Sequence, residues 1–207
     1  MKELLKRLFW KRISGKNNVI EIGKPAIRKN FQLRVHGNNN TVRIGEGCKL
    51  INTKLTVLGD NCTVNIDKEV RFYGPCTILM ESGSTLEITR LTGVRGVDFN
   101  LRGAGCKIGY KCMFSYGINV RNHDAHPVID VATGKANNLP KDIVFGDHVW
   151  IGQNSSILKG CNIGSESIIA YGAVVTKGCE PGCILAGNPA KVVRTGITWD
   201  FNFEKYM

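Results

Sequence analysis

Two histidines and a carboxylate lie within four residues of one another and could perform acid–base or metal chemistry. They are His123, Asp124 and His126, near the start of a polar stretch over residues 121–142. A neutral imidazole can take a proton from a hydroxyl near pH 7, and a neighbouring carboxylate can fix its tautomer. With His148, the same histidines could instead hold a catalytic zinc ion, which three histidines can bind. The residue types alone leave both interpretations open.

A six-residue repeat follows this stretch and must help to position it. An apolar residue recurs at every sixth position, and the fourth residue after it is small. The apolar set is Phe145, Ile151, Ile157, Ile163, Ile169 and Val175, and the small set is Ser155, Cys161, Ser167, Ala173 and Cys179. A period of six fits neither an α-helix nor a simple strand. It is typical of a β-helix whose coils have three flat faces.

The same phase appears before the polar stretch, at Ile108, Phe114 and Val120. Further upstream the pattern is less regular, with short strands joined by Gly and Asn, which tolerate positive φ. We predict an all-β fold with parallel β-helix coils over residues 17–193, a projecting loop at 121–142 and a tail at 194–207. Residues 1–16 are predicted to form a short basic amphipathic helix. Long loops in compact domains are usually functional, so the break in the repeat marks the predicted site.

Composition narrows the class of partner and the compartment. The formal net charge of +11 predicts an anionic partner, such as a phosphate-bearing cofactor, an acidic polysaccharide, nucleic acid or a membrane surface. No apolar run reaches the ~18 residues that span a membrane. Cations interrupt residues 1–16, which excludes a signal peptide, and we expect a cytoplasmic location. The same segment would either touch the inner face of a membrane or cap the β-helix.

The eight cysteines contain no CxxC pair, which argues against a zinc ribbon. Most of them fall at positions that the repeat assigns to the core. We therefore expect reduced, buried cysteines that act as small apolar residues.

Residues 144–194 closely resemble the hexapeptide-repeat acyltransferases. The matching text is DHVWIG at 147–152, the isoleucine ladder, and AGNPAKVV at 186–193. The loop text DAH at 124–126, with Asp130 and the Thr133-Gly134 pair, resembles the branch that O-acetylates capsular and lipopolysaccharide sugars, including sialic acid.

This resemblance implies a left-handed β-helix that assembles as a homotrimer, with each active site between neighbouring subunits. It implies acetyl-coenzyme A as the co-substrate, with no metal ion. The acceptor would be a sugar hydroxyl of a surface polysaccharide or its precursor, with sialic acid as one candidate. A sugar or polysaccharide partner is therefore expected, rather than nucleic acid.

The resemblance also assigns roles to residues. The family's loop histidine maps onto His126 as general base, and its tryptophan near the thioester maps onto Trp150. Asp124 is a candidate to orient His126, and a backbone N–H near Trp150 or Gly152 is the predicted oxyanion donor. No cysteine lies in the loop, which favours direct transfer. The predicted cofactor-binding residues are Trp150, Gly152, Ala170, Lys177, Lys191 and Arg194.

Three other functions fit parts of the pattern. An amino-sugar N-acetyltransferase would use the same coils and cofactor. A zinc enzyme resembling the γ-class carbonic anhydrases would use His123, His126 and His148, although their spacing differs from that class. A basic solenoid without catalytic activity could bind an acidic polymer.

Overall fold

The computed structural model describes residues 10–207, and almost all of its regular structure is β-strand. The strands that precede the loop are β1 (Lys11–Ser14), β2 (Val19–Ile22), β3 (Ile27–Lys29), β4 (Gln32–His36), β5 (Thr41–Ile44), β6 (Lys49–Ile51), β7 (Thr53–Leu58), β8 (Thr63–Ile66), β9 (Arg71–Phe72), β10 (Cys76–Glu81), β11 (Thr85–Ile88), β12 (Gly93–Val94), β13 (Val97–Leu101), β14 (Gly105–Ile108), β15 (Met113–Phe114) and β16 (Ile118–Arg121). The elements after the loop are β17 (Ile143–Phe145), β18 (Trp150–Ile151), β19 (Ser156–Leu158), β20 (Asn162–Ile163), β21 (Ile168–Ile169), β22 (Val174–Val175), β23 (Ile184–Gly187), β24 (Ala190–Arg194) and a 3-10 helix, η1 (Phe203–Tyr206).

Every third strand belongs to the same sheet, so the chain winds around three faces. Face A has the order β1-β4-β7-β10-β13-β16-β19-β22, and face B has the order β2-β5-β8-β11-β14-β17-β20. Face C has the order β24-β23-β21-β18-β15-β12-β9-β6-β3, and within it only the β23–β24 pair is antiparallel. The fold is a left-handed parallel β-helix, which confirms the predicted fold class.

The coils are wider before the loop than after it. Leu33 pairs with Leu55, 22 residues further on, whereas Ile157 pairs with Val175, 18 residues further on. Only the coils after the loop therefore have the three hexapeptides per coil that the sequence pattern predicts. The wider coils bury Phe72, Phe99 and Phe114, whereas past Phe145 isoleucine and valine suffice to fill the core.

Many corners hold a residue in the left-handed backbone conformation, and such residues recur at equivalent positions in successive coils. Asn17, Asn39 and Asn61 have φ of 56°, 57° and 59° at the corner between faces A and B. Gly and Asn adopt this conformation at least cost, which explains why they recur there. The corner asparagines also bond to one another, as when Asn17 Nδ2 donates to Asn39 Oδ1 at 3.2 Å.

The buried residues form one column inside the three faces, and all of the predicted apolar ladder lies in it. The cysteine prediction is confirmed for seven of the eight residues, which are buried; Cys179 is half-buried, and all eight thiols are free. The part of the chain that the structure describes contains no helix long and apolar enough to cross a membrane.

The ends of the chain differ from the prediction. The coils begin at Lys11 rather than at residue 17, because β1 pairs in register with β4. A strand therefore occupies the second half of the predicted helix, and the first nine residues of that helix lie outside the described residues. At the other end, β24 folds back on β23, and the tail begins after Arg194.

The buried ladder predicts a clear difference between neighbouring residues in one strand. Ile163→Ala should lower the free energy of unfolding by about 2–5 kcal/mol, because it leaves a cavity in a core that cannot fully relax. Asn162→Ala, on the exposed side of β20, should change it by less than about 0.5 kcal/mol. Urea denaturation at one fixed protein concentration measures both. Equal losses would contradict the assignment of the two faces of this strand.

Candidate active site

The projecting loop occupies residues 122–142, between β16 on face A and β17 on face B, within one residue of the predicted bounds. Its root is closed by Asn122, which is buried. The Asn122 amide Nδ2 donates to the carbonyl of Ala104 at 2.8 Å, and its Oδ1 accepts the Arg102 N–H at 2.9 Å. The Lys141 N–H then donates to the Asn122 carbonyl at 3.0 Å. The loop can therefore leave the coil without disturbing the ladder on either side.

The loop is a hairpin rather than an irregular excursion. Ile129 and Ala136 form an antiparallel bridge, and Asp130 closes the turn by accepting from the N–H and hydroxyl of Thr133 at 2.8 and 2.9 Å. Asn138 Oδ1 accepts the Val128 N–H at 2.7 Å. These bonds give the loop a defined shape that can hold a side chain in place.

Asp124 anchors the loop to the next coil. Its carboxylate accepts from Lys159 Nζ and from Asn138 Nδ2, the latter at 2.7 Å. The hydrogen bonds from Lys159 and Asn138 hold the pKa of Asp124 below its ordinary value. Among the described residues, no hydrogen bond joins Asp124 to His126. The orienting role of Asp124 stays a prediction; the contacts within one copy show the carboxylate anchoring the loop through Lys159 and Asn138.

His123 is buried, and both ring nitrogens have partners. Nδ1 lies 2.9 Å from the carbonyl oxygen of Asp124, so it must donate, and Nε2 lies 2.9 Å from the side-chain oxygen Oδ1 of Asn100 on face A. A ring that is held in this way packs the loop against the coil. It has no nitrogen left with which to accept a proton from an external hydroxyl.

His126 has the opposite environment. Its side chain is exposed, and its ring forms no hydrogen bond with any other residue that the structure describes. Its backbone is fixed nonetheless, because the carbonyl accepts from Asn138 Nδ2 at 2.9 Å. His126 therefore combines a held backbone with a ring that an acceptor can reach, as a general base requires.

Trp150 lies on face C, in β18, between Met113 of the preceding coil and Ile168 of the next. Its side chain is 37% exposed, and its ring lies 5.9 Å from that of Trp199. The Trp150 N–H donates to the Ser167 carbonyl at 2.9 Å.

The backbone oxyanion donor near Trp150 or Gly152 stays a prediction, but the N–H groups of these two residues are not free to provide it. The Gly152 N–H donates to the Ile169 carbonyl at 2.8 Å, so both amides are already part of the ladder between coils. The indole N–H of Trp150, by contrast, forms no hydrogen bond with another described residue. It is a donor that remains available on this face.

The C-terminal tail packs beside Trp150. Trp199 stacks on His148 with ring centroids 4.1 Å apart, and its indole N–H donates to the His148 carbonyl at 2.6 Å. His148 Nδ1 in turn lies 2.7 Å from Glu166 Oε2. Burial alone would raise the pKa of Glu166, but hydrogen bonds from His148 and Thr198 outweigh it and lower that pKa. His148 thus anchors the tail.

The predicted cofactor residues lie in two places. Gly152 and Ala170 follow the paired residues Ile151 and Ile169, so they stack in adjacent coils next to Trp150. Lys191 and Arg194 are exposed on β24, at the C-terminal end of face C. Lys177 lies instead at the corner between faces A and B, one coil beyond Lys159. One chain alone does not bring Lys177 to the other two cations.

The three histidines of the zinc hypothesis are also dispersed. His123 packs on face A, His126 lies in the loop, and His148 lies at the corner between faces B and C. Across residues 10–207, no group of three or more His, Cys, Asp or Glu residues could hold a metal ion.

Sequence reasoning missed Lys159 and Asn138, the two residues that hold Asp124. Lys159 carried a usable signal, because it lies two residues after Ile157 of the ladder, which places it at the corner from which the loop leaves. No sequence signal pointed to Asn138, because its partners are set by the folded shape of the hairpin.

Comparison with known proteins gives a consistent result. Residues 142–177 match the family "Bacterial transferase hexapeptide (six repeats)". A polysialic acid O-acetyltransferase of Escherichia coli O1:K1 / APEC is 35% identical over 124 residues, which are 59% of this chain and 40% of that protein. The match thus spans less than half the length of this relative.

Two solved structures match along nearly the whole chain. The polySia-specific acetyltransferase NeuO superposes with a TM-score of 0.90 at 32% identity, over 94% of this chain and 89% of that one. The polysialic acid O-acetyltransferase OatWY gives a TM-score of 0.88 at 33% identity, over 93% and 92%. The chain therefore belongs to the hexapeptide-repeat acetyltransferases and, within them, to the family of the polysialic acid O-acetyltransferases.

Proposed function

We propose that this protein transfers an acetyl group from acetyl-coenzyme A to a hydroxyl of a sialic acid polysaccharide. The observation that carries this proposal is the likeness to two solved polysialic acid O-acetyltransferases, which extends along 94% and 93% of the chain. The likeness is not confined to the hexapeptide region that many acyltransferases share. The net charge of +11 is consistent with two anionic ligands, the cofactor and an acidic polymer.

The active site of this proposal lies between two copies of the chain. The loop with His126 leaves the corner between faces A and B. Its hydrogen bonds to the coils include those with Asn100 on face A and with Lys159 at that corner. Trp150 lies on face C, which is opposite that corner in a three-sided coil. A neighbouring copy that turns its face C toward the loop would bring His126 and Trp150 together.

A homotrimer with cyclic symmetry satisfies this arrangement, because each copy offers its loop to one neighbour and its face C to the other. The same arrangement would bring Lys177 of one copy toward Lys191 and Arg194 of the next. It would also cover apolar side chains of the loop that a single copy leaves in water. Val131 is 99% exposed and Leu139 is 65% exposed.

The chemistry needs few groups. His126 removes the proton of the acceptor hydroxyl as its oxygen attacks the thioester carbonyl. The tetrahedral intermediate then collapses, the carbon–sulfur bond breaks, and the proton passes from His126 to the departing thiolate of coenzyme A. The indole N–H of Trp150 is the donor available to the developing oxyanion, since the backbone N–H groups of Trp150 and Gly152 are engaged.

Transfer is direct in this proposal, without an acyl-enzyme. The cysteines that follow or precede the loop are poor nucleophiles, because burial raises the pKa of Cys112 to about 12 and that of Cys161 to about 11. Their thiols remain protonated near neutral pH, and only a thiolate attacks readily.

Incubation of the protein with acetyl-coenzyme A and polysialic acid tests the proposed function. We expect one free thiol for each acetyl group gained by the polymer, and a new ester detectable by mass spectrometry. Mild alkali should remove the acetyl group, which distinguishes an O-acetyl ester from the amide that an amino-sugar N-acetyltransferase would form. A neutral dextran serves as the control acceptor. Thiol release that does not depend on polysialic acid, or an alkali-stable product, would contradict the proposal.

Removal of the proposed base gives the second prediction. His126→Ala should lower kcat by about 10²–10⁴-fold, the usual contribution of a positioned general base. The KM for acetyl-coenzyme A and the thermal midpoint should change little, because the ring is exposed and forms no hydrogen bond within the chain.

Two variants control for nonspecific effects on this measurement. His36→Ala removes an exposed histidine of face A and should leave kcat unchanged. His123→Ala should cost less than about tenfold in kcat and should lower the thermal midpoint, because its ring packs the loop on Asn100. If His123→Ala abolished kcat while His126→Ala kept most of it, the assignment of the base to His126 would be wrong.

A further inference from the structure

A groove of about 380 Å³ lies on face C, on the N-terminal side of Trp150. It is lined in part by Arg71, Tyr73, Gly93, Arg95, Lys111 and Phe201. The described coils position all of these residues except Phe201, which the tail adds as one wall. The site described above assigns no role to any of them.

The groove follows from the stacking of side chains on face C. One outward column runs Arg71, Gly93, Met113 and Trp150 in successive coils. A second column runs two residues later, just after each strand, and contains Tyr73 and Arg95. Gly93 forms part of the floor, because no atom lies within 4 Å of the position that its Cβ would take. Successive coils are ~4.8 Å apart, so Arg71 lies ~14 Å from Trp150 along the face.

The charge in the groove is positive and uncompensated. Arg71, Arg95 and Lys111 are exposed, and none of them forms an ion pair with another residue of the described chain. The nearest acids in sequence to Arg71, Asp67 and Glu69, do not line the groove. Three cations that face one cavity repel one another unless an anion joins them.

The walls of the groove also present apolar surface beside these three cations. Tyr73 is 39% exposed and Phe201 is 57% exposed, and both offer ring surface to the cavity. Cations that pair with carboxylates, beside aromatic rings that pack on the apolar side of a sugar ring, suit a saccharide that carries acidic groups.

The position of Trp150 separates this groove from the proposed cofactor region. In the strand order of face C, β24 with Lys191 and Arg194 lies three strands to one side of β18, and β9 with Arg71 lies three strands to the other. A transfer reaction needs donor and acceptor to meet at one point from different directions. Trp150 lies midway between the two cationic regions, where the thioester and the hydroxyl would meet.

We propose that the face C groove binds the acceptor, a linear saccharide with one carboxylate per sugar, along the columns that lead to Trp150. This inference rests on the proposed function. It implies that sugars beyond the one being acetylated contribute to binding. Polymer should therefore be a better acceptor than a single sugar or a dimer, which cannot reach from Trp150 to Arg71.

The test compares variants of the groove with a variant of another face. The double variant Arg71→Gln/Arg95→Gln removes two cations, and Gly93→Glu places a negative charge on the floor at a position with room for a side chain. Lys54→Gln removes one exposed cation of face A and is the matched control. KM and kcat are measured with polysialic acid and with acetyl-coenzyme A in turn, at low and high salt.

We expect both groove variants to raise the KM for polysialic acid about tenfold at low salt, with the KM for acetyl-coenzyme A unchanged. The difference should shrink at high salt, because exposed charges are screened. Lys54→Gln should leave both constants within about twofold. A raised KM for acetyl-coenzyme A alone would assign the groove to the cofactor and overturn the inference. Unchanged constants in both groove variants would overturn it as well.

Direct binding separates failure of this inference from failure of the proposed function. Fluorescence anisotropy of labelled polysialic acid, measured without acetyl-coenzyme A, does not require transfer. Weaker binding to Gly93→Glu than to the wild type supports the groove even for a variant that has lost activity. Equal binding overturns the inference while leaving acetyl transfer intact. Absence of transfer by the wild type would instead count against the proposed function.

Discussion

The parallel hydrogen bonds between successive coils determine where the candidate functional side chains of the faces lie and from which corner the loop with His126 leaves. Each residue on a face stands directly over its partner in the preceding coil, so a position on the face is fixed by register. The ladder tolerates one long insertion, because Asn122 and Lys141 close the loop root and β17 resumes pairing with β14 at once. Cys106 thus pairs with Ile143, 37 residues later, as if the loop were absent. A rigid scaffold with one hairpin is a suitable support for a catalytic base.

The same constraint divides the functional groups between faces. The loop and Lys177 belong to the corner between faces A and B, whereas Trp150, the cations of β24 and the groove belong to face C. Side chains cannot migrate between faces without a shift of register that would turn the buried column outward. The proposed site therefore draws on two copies. Along face C, the cations of β24, Trp150 and the groove follow one another in that order.

The sequence predicts the coils after the loop better than those before it. From Phe145 on, the period of six matches the coil, and the buried ladder is as predicted. Upstream, coils of 22 residues are not a multiple of six, so the hexapeptide phase is lost although the strands remain. The recurrence of Asn17, Asn39 and Asn61 at intervals of 22 was the available signal for these coils. Their φ values show that they occupy equivalent corners.

The candidate site, too, could be predicted from the sequence only in part. His126 could be placed in the loop and Trp150 at a coil strand, because both depend on where the repeat breaks and resumes. The partners of Asp124 depend on the folded hairpin, and the engagement of the Gly152 N–H depends on which strand it faces. The proposed groove needs Arg71, Arg95 and Phe201 together. Arg71 and Arg95 belong to coils that have no hexapeptide signature, and Phe201 comes from the distant C-terminal tail. Residue spacing within one coil cannot reveal such a surface.

We propose that His126 of one copy acts with Trp150 of a neighbour, and mixed assemblies test this shared site most directly. His126→Ala and Trp150→Ala chains, each nearly inactive alone, are coexpressed with different tags, and assemblies that carry both tags are purified. In a cyclic trimer that contains both chains, one interface in three joins an intact loop to an intact face C, so about a third of the wild-type activity should return. Activity that stays at the level of the separate variants, in assemblies shown to contain both chains, would contradict the shared site.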